Sequence, residues 1–264
     1  MSGTRAEIAK LARLLGEPAA RFDYLSALSP EDVRAVRDQA AEVLFGANQA
    51  LFERIGSASK LVPAALTASI AQRSFGPLLS ARVAGALEPD RAVDLATRLP
   101  VSFLADVAAE LDPRRIAPVL GLLPTTKVVE VGRELIRRAD HITTGRFVGD
   151  LPRPALQAMV TTLDDHALLH TAIYTDNTDR LPALFALIPD SRLPGVAAII
   201  ATATGEFAED LIPVLLHLDA PSLTRLADAV RALPPAERAQ LSAMVERMDV
   251  LEELGPLAAA LTER

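Results

Sequence analysis

The chain has 264 residues, half of them apolar, a formal charge of −7, and no cysteine or tryptophan. The missing cysteines exclude a disulfide framework, a thiolate zinc site, an iron–sulfur cluster and a cysteine nucleophile. Three lysines in a net acidic chain cannot build the basic face that phosphates need, so no nucleic-acid partner is expected.

The apolar half is mostly Leu, Ala, Val and Ile, with two Tyr and eight Phe. Residues that keep rotamer freedom in a helical turn dominate, and the alternation of a half-buried strand is missing, so the fold is read as all-α. Met1–Leu15 carries Arg5, Lys10 and Arg13 on an amphipathic helix without an apolar signal core or cleavage site. A cytoplasmic location is therefore expected. At Leu28-Ser29-Pro30, Ser29 and Asp32 have the spacing of a capping box that opens the next helix.

Lys60–Leu87 is rich in small apolar residues and is interrupted by Pro63 and Gly76-Pro77, which predicts a buried helical hairpin with a kink. Its Leu61–Ala71 segment, with Phe45, Phe52, Phe75 and Phe103, could line a cavity for a lipid or small apolar ligand. Arg73 and Arg82 would then meet an anionic head group at the mouth. The competing reading of the same phenylalanines is plain core packing. A loose boundary is placed near residue 86, with residues 1–86 as an N-terminal helical region packed on an array of helical repeats at 87–264, the alternative being one continuous domain.

From there, Leu-Pro or Ile-Pro pairs punctuate the chain at Leu99-Pro100, Leu123-Pro124, Leu151-Pro152, Leu181-Pro182, Ile188-Pro189 and Leu233-Pro234. Proline disfavours helix in the residue before it and can start the next one, so each pair closes one helix and opens a corner. Leu87–Pro100 and Leu111–Pro124 align without a gap at an offset of 24 residues. Each opens with Leu, an acidic residue and Pro, so Glu88 and Asp112 are expected to cap ten-residue helices. Val101, Leu104, Val107 and Ala108 form one stripe of the helix between them. Such helix pairs bury their apolar faces only by stacking on neighbours, which predicts an irregular superhelical array ended by polar helices near 4–15 and 235–262.

The stretch LEPDRAVDLATRLPVSFLADVAAELDPRRIAPVLGLLPTTKVVEVGREL, Leu87 to Leu135, resembles the cytosolic N-terminal domain of MgtE-type magnesium transporters, whose repeat is similar to the middle domain of the flagellar switch protein FliG. The resemblance implies a superhelical regulatory or scaffolding module. It carries over neither transport nor a magnesium site, because no segment matches the nucleotide-binding pair or membrane domain of those transporters and no acidic cluster maps residue by residue.

Further along, Asp164-Asp165-His166 and His170 place two imidazoles one helical turn apart, a spacing that could hold a divalent metal with Asp165 as third ligand. The competing reading is that Asp164 and Asp165 answer the helix dipole and that the histidines need no ligand. His141 beside Asp140 could act as a general base, or simply sit at a helix end. The longest charge-free stretch, Leu193–Gly205, is too short to span a bilayer. Residues 164–264 hold 16 Asp and Glu against 7 Lys and Arg, a solubilising half. No phosphate loop and no G-x-S-x-G elbow occurs, so no cofactor is expected and catalysis is disfavoured. The sequence thus points first to a non-catalytic interaction protein with a protein partner, then to a carrier of a small apolar ligand, and last to a metal protein using Asp165, His166 and His170.

Overall fold

In the computed structural model, residues 2–46 and 49–262 are described, and they form eighteen α-helices with no strand. The first three are α1 (Ser2–Leu15), α2 (Pro30–Gly46) and α3 (Gln49–Ser59). The kinked hairpin follows as α4 (Ala64–Ile70), a π-helical turn at Ala71–Phe75 and α5 (Gly76–Ala84). Then come α6 (Pro89–Arg98), α7 (Val101–Glu110), α8 (Pro113–Leu122), α9 (Thr125–Arg137), α10 (His141–Val148), α11 (Arg153–Thr162) and α12 (Asp165–Ile173). The last third comprises α13 (Leu181–Phe185), α14 (Leu193–Thr202), α15 (Gly205–Leu216), α16 (Ala220–Arg231), α17 (Pro235–Arg247) and α18 (Pro256–Thr262).

The corners explain these short lengths. Leu99 and Pro100 are both extended, as are Leu123 and Pro124, so two residues suffice to leave one helix and enter the next. Several leucines and an isoleucine at these corners are also anchors: Leu99, Leu111, Leu151, Leu163, Ile188, Leu218 and Leu233 are all buried. Capping is supplied where a short acidic side chain is available. Asp112, Asp140, Asp164 and Asp219 each accept a backbone N–H from the first turn of the helix that follows. Ser29 accepts the backbone N–H of Asp32 and its hydroxyl donates to the Asp32 carboxylate, at 3.1 and 2.8 Å. Glu88 makes no such bond, although it opens α6 as Asp112 opens α8. Its longer side chain reaches outward and lies 3.8 Å from Lys60.

Helices pack on the next but one. One row runs α5, α7, α9, α11, a second α4, α6, α8, and from α10 the stacking continues through α12, α14, α16 and α18. Two apolar cores result, one over Ala68–Leu156 and one over Val160–Ala260, and Leu184 and Leu187 touch both. The boundary expected near residue 86 marks no break in this packing, since Ala68 and Ala81 share a core with Ala92 and Leu95. The hairpin is buried on one side only, and Leu61, Leu66, Ile70 and Leu78 are exposed on the other.

The expected end helices behave differently from simple polar caps. Leu241, Val245, Leu254 and Leu257 bury α17, α18 and the turn between them in the core. α1 does not sit at an end at all: it packs on α2 and crosses to α15. Its Ile8 and Leu11 form a small separate core with Val33. Its charged side chains reach across to the rows. Arg5 binds Asp210 and Glu209 at 2.9 and 2.8 Å, and Arg13 pairs with Asp140. Lys10 lies between Glu7 and Asp176, 2.9 and 2.8 Å away, and Arg37 of α2 joins the same two carboxylates. Burial alone would raise the Asp176 carboxyl, but Lys10 and Arg37 together hold it down, to about 2.

Candidate functional site

Between the rows lies a cavity of about 190 Å³, walled by α3 through α10 and closed by Leu151 and Met159. Its wall is built from apolar side chains such as Leu95, Val107, Val131 and Phe147, each facing inward because it belongs to the stripe that stacks on the next helix of its row. Ser59, Thr67 and Thr144 also border it, but their hydroxyls are already spent on backbone carbonyls of Gly56, Pro63 and Asp140. Ser80 on α5 is different. Its Oγ is buried and has no hydrogen-bond partner, which leaves it free to recognise something, whereas Lys127, also in the wall, pairs with Glu130 at 3.6 Å.

The N-terminal wall is shaped by two local devices. Arg91 of α6 donates to the carbonyls of Ser59 and Val62 and to the Thr67 hydroxyl, fastening the α3–α4 connection over the cavity. The π-helical turn at Ala71–Phe75 then shifts the helix register so that Ala71 and Phe75 both line the wall, and Gly76 follows with a φ of 71°. Turns of this kind recur at functional sites, and the positive φ at Gly76 is a conformation that favours glycine.

The residues singled out in the sequence are dispersed around this cavity. Phe75 lines it, while Phe103 is buried in the same apolar core without reaching the wall. Arg73 is exposed. Arg82 does not stand at a mouth, because its guanidinium lies 3.5 Å over the Phe45 ring. That stacking keeps Phe45 out of the wall as well. The two arginines therefore form no head-group clamp.

The histidine constellation also resolves differently from a metal site. Asp165 is held by Arg192, whose Nε donates to it at 2.8 Å. His166 is exposed. His170 is sandwiched between His141, 4.9 Å away, and Phe207, 4.3 Å away. Burial lowers the pKa of both His141 and His170, which favours neutral stacked rings. Among the described residues no group of three or more His, Asp or Glu is arranged to hold a metal ion. The i, i+4 spacing puts two histidines on one helix face, but α12 spends that face on aromatic packing at one end and on solvent at the other. His141, the candidate base, stacks with its Nδ1 buried and without a partner.

The cavity was visible in sequence only through its hairpin wall. Ser80 and Arg91 carried no motif, and most of the wall comes from the repeats, whose inward residues look like ordinary core. Among the described residues no single helix is long and apolar enough to cross a membrane. Compared with known families, curated proteins and solved structures, the chain matches none of the three.

Proposed function

We propose that this protein binds one small apolar molecule between its two rows of helices, with the Ser80 hydroxyl as the polar contact. The observation that supports the reading is a cavity of about 190 Å³ with an almost wholly apolar wall. An apolar cavity of roughly 150 Å³ stays dry and takes up benzene. Unfilled space in a core costs about 24 cal/mol per Å³, so filling this one is worth on the order of 4–5 kcal/mol. The ligand that fits is a compact hydrocarbon or short chain bearing a single acceptor, such as a carbonyl or hydroxyl oxygen, for Ser80.

The test is a calorimetric titration with acetophenone, a single ring bearing one carbonyl, as probe, paired with mass spectrometry of organic extracts from freshly purified protein. Ala96, half-buried in the α6 wall, gives the control. Ala96→Phe fills the cavity without adding a charge and should abolish probe binding while leaving the helical circular-dichroism signal intact. Equal binding by wild type and variant would place the probe elsewhere and end this reading.

A second reading, a protein-interaction module whose rows coil into a superhelix like the repeats it resembles, is favoured by one observation. Leu61, Leu66 and Leu78 are 88%, 53% and 53% exposed on the outer side of the hairpin. Exposed apolar side chains gathered on one segment mark interaction sites. A stoichiometric partner recovered from the native host by wild type, and lost with Leu61→Asp plus Leu66→Asp, would support this reading. Equal recovery by both proteins would refute it.

A further inference from the structure

The seam between the N-terminal helices and the rows encloses a second cavity, of about 390 Å³, lined by both acidic and basic side chains. α1 and α2 contribute Lys10, Leu14, Arg37 and Ala41, and the rows contribute Arg146 and Asp150 at the end of α10. Most charges around it are already matched. Lys10 and Arg37 share Asp176, Arg34 binds Glu7, and Arg114 binds Asp112 and Asp38.

Two are not. The Arg146 guanidinium makes a single hydrogen bond, 2.9 Å to the Leu111 carbonyl. Among the described residues the Asp150 carboxylate has no hydrogen bond or ion pair, and burial pushes its pKa up against the opposing charge of Arg180. They stand four residues apart, Arg146 in the last turn of α10 and Asp150 in the turn just beyond it, and they do not pair with each other. A half-buried cation and a half-buried anion, each short of partners and lining the same space, leave room for a ligand that joins them.

We infer that the seam cavity is a binding site for a zwitterionic small molecule of the α-amino-acid class, its carboxylate on Arg146 and its ammonium on Asp150. An α-amino acid carries both charges on one carbon and can bridge two side chains that are not paired with one another. A guanidinium receives a carboxylate through two parallel N–H donors. A simple anion would leave Asp150 unmatched and a simple cation would leave Arg146 unmatched, so the pair selects for both charges at once. Asn177 and Thr178 at the edge add neutral hydrogen-bonding groups, and Leu14 and Ala41 offer an apolar wall to a side chain. Volumes of several hundred cubic ångströms are usual for small-molecule sites. This site is independent of the apolar cavity, and either can fail without the other.

The experiment is calorimetric titration of the full chain at low salt with L-serine, L-leucine, L-glutamate and L-lysine, alongside acetate and methylammonium. At least one amino acid should bind about tenfold or more tighter than either single-charge probe. Arg146→Met and Asp150→Asn should each weaken it by about 30-fold or more, as expected when one partner of an enclosed charged pair is removed. Thr178→Trp keeps both charges and fills the space from its edge, so it should also lose binding and covers the case in which Arg146→Met fails to fold. No binding by any amino acid, equal binding by acetate, or undiminished binding by folded Asp150→Asn and Thr178→Trp would each overturn the inference.

Discussion

Two regions of this molecule are held to their neighbours by opposite means. Inside the rows, Leu211, Leu226 and Leu241 are wholly enclosed among other apolar residues, and each helix meets the next but one through such side chains. Where α1 meets the rows, the contacts are Arg5, Lys10 and Arg13 on Asp210, Asp176 and Asp140. The first interface tolerates any side chain of the right size and shape. The second depends on charges that must find one particular partner, because a buried charge left alone costs far more than a buried methyl group. The rows therefore provide stability, and the seam determines where α1 sits.

Three measurements bear on that contrast. The largest effect is expected in the rows: Leu211→Ala should cost about 3–5 kcal/mol, read as a fall in the urea midpoint, since Leu211 is fully enclosed. A cost below about 1 kcal/mol would mean that the core around α15 collapses freely and that the rows are not the main source of stability. Next comes Lys10→Met, which leaves the enclosed Glu7 and the nearby Asp176 with fewer cations. It should cost about 3 kcal/mol and expose the Gly16–Pro18 connection to protease while the helical signal of the rows persists. Protection equal to wild type would show that α1 is seated by its remaining contacts without Lys10.

The smallest effect is acid sensitivity. Asp176 titrates at about 2 when folded against an ordinary 3.8, so the unfolded chain binds its proton more readily. The stability it contributes is present above about pH 4 and is lost as pH falls toward 2, on the order of 1–2 kcal/mol after allowance for its partial exposure. Asp176→Asn should flatten that part of the unfolding curve. A variant whose acid transition coincides with wild type would assign the loss to other carboxylates.

How much of this was readable beforehand follows from distance along the chain. Helix starts and stops were legible because they depend on adjacent residues: Ser29 with Asp32, Asp112 with the N–H of Arg114, Leu99 with Pro100. Glu88 failed as a cap for a reason equally local, one methylene too many. The apolar cavity was half-legible, since its hairpin wall is a contiguous segment but its other walls reach as far as Met159. The seam was not legible at all. Its partners are 127 to 205 residues apart, and nothing in the spacing of Arg5, Lys10 and Arg13 says which of the many downstream carboxylates they meet. The histidines show the reverse error, a suggestive spacing whose meaning was set by Phe207 on another helix.

The return of α1 to α15 also bears on the cost of assembly. Stacked helices of the rows are separated by about two dozen residues, whereas Arg5 and Asp210 are separated by 205. In an unfolded chain, closing that longer loop costs roughly 2 kcal/mol more in chain entropy. Seating α1 on α15 thus carries a larger entropic cost of closure than stacking one helix of a row on the next.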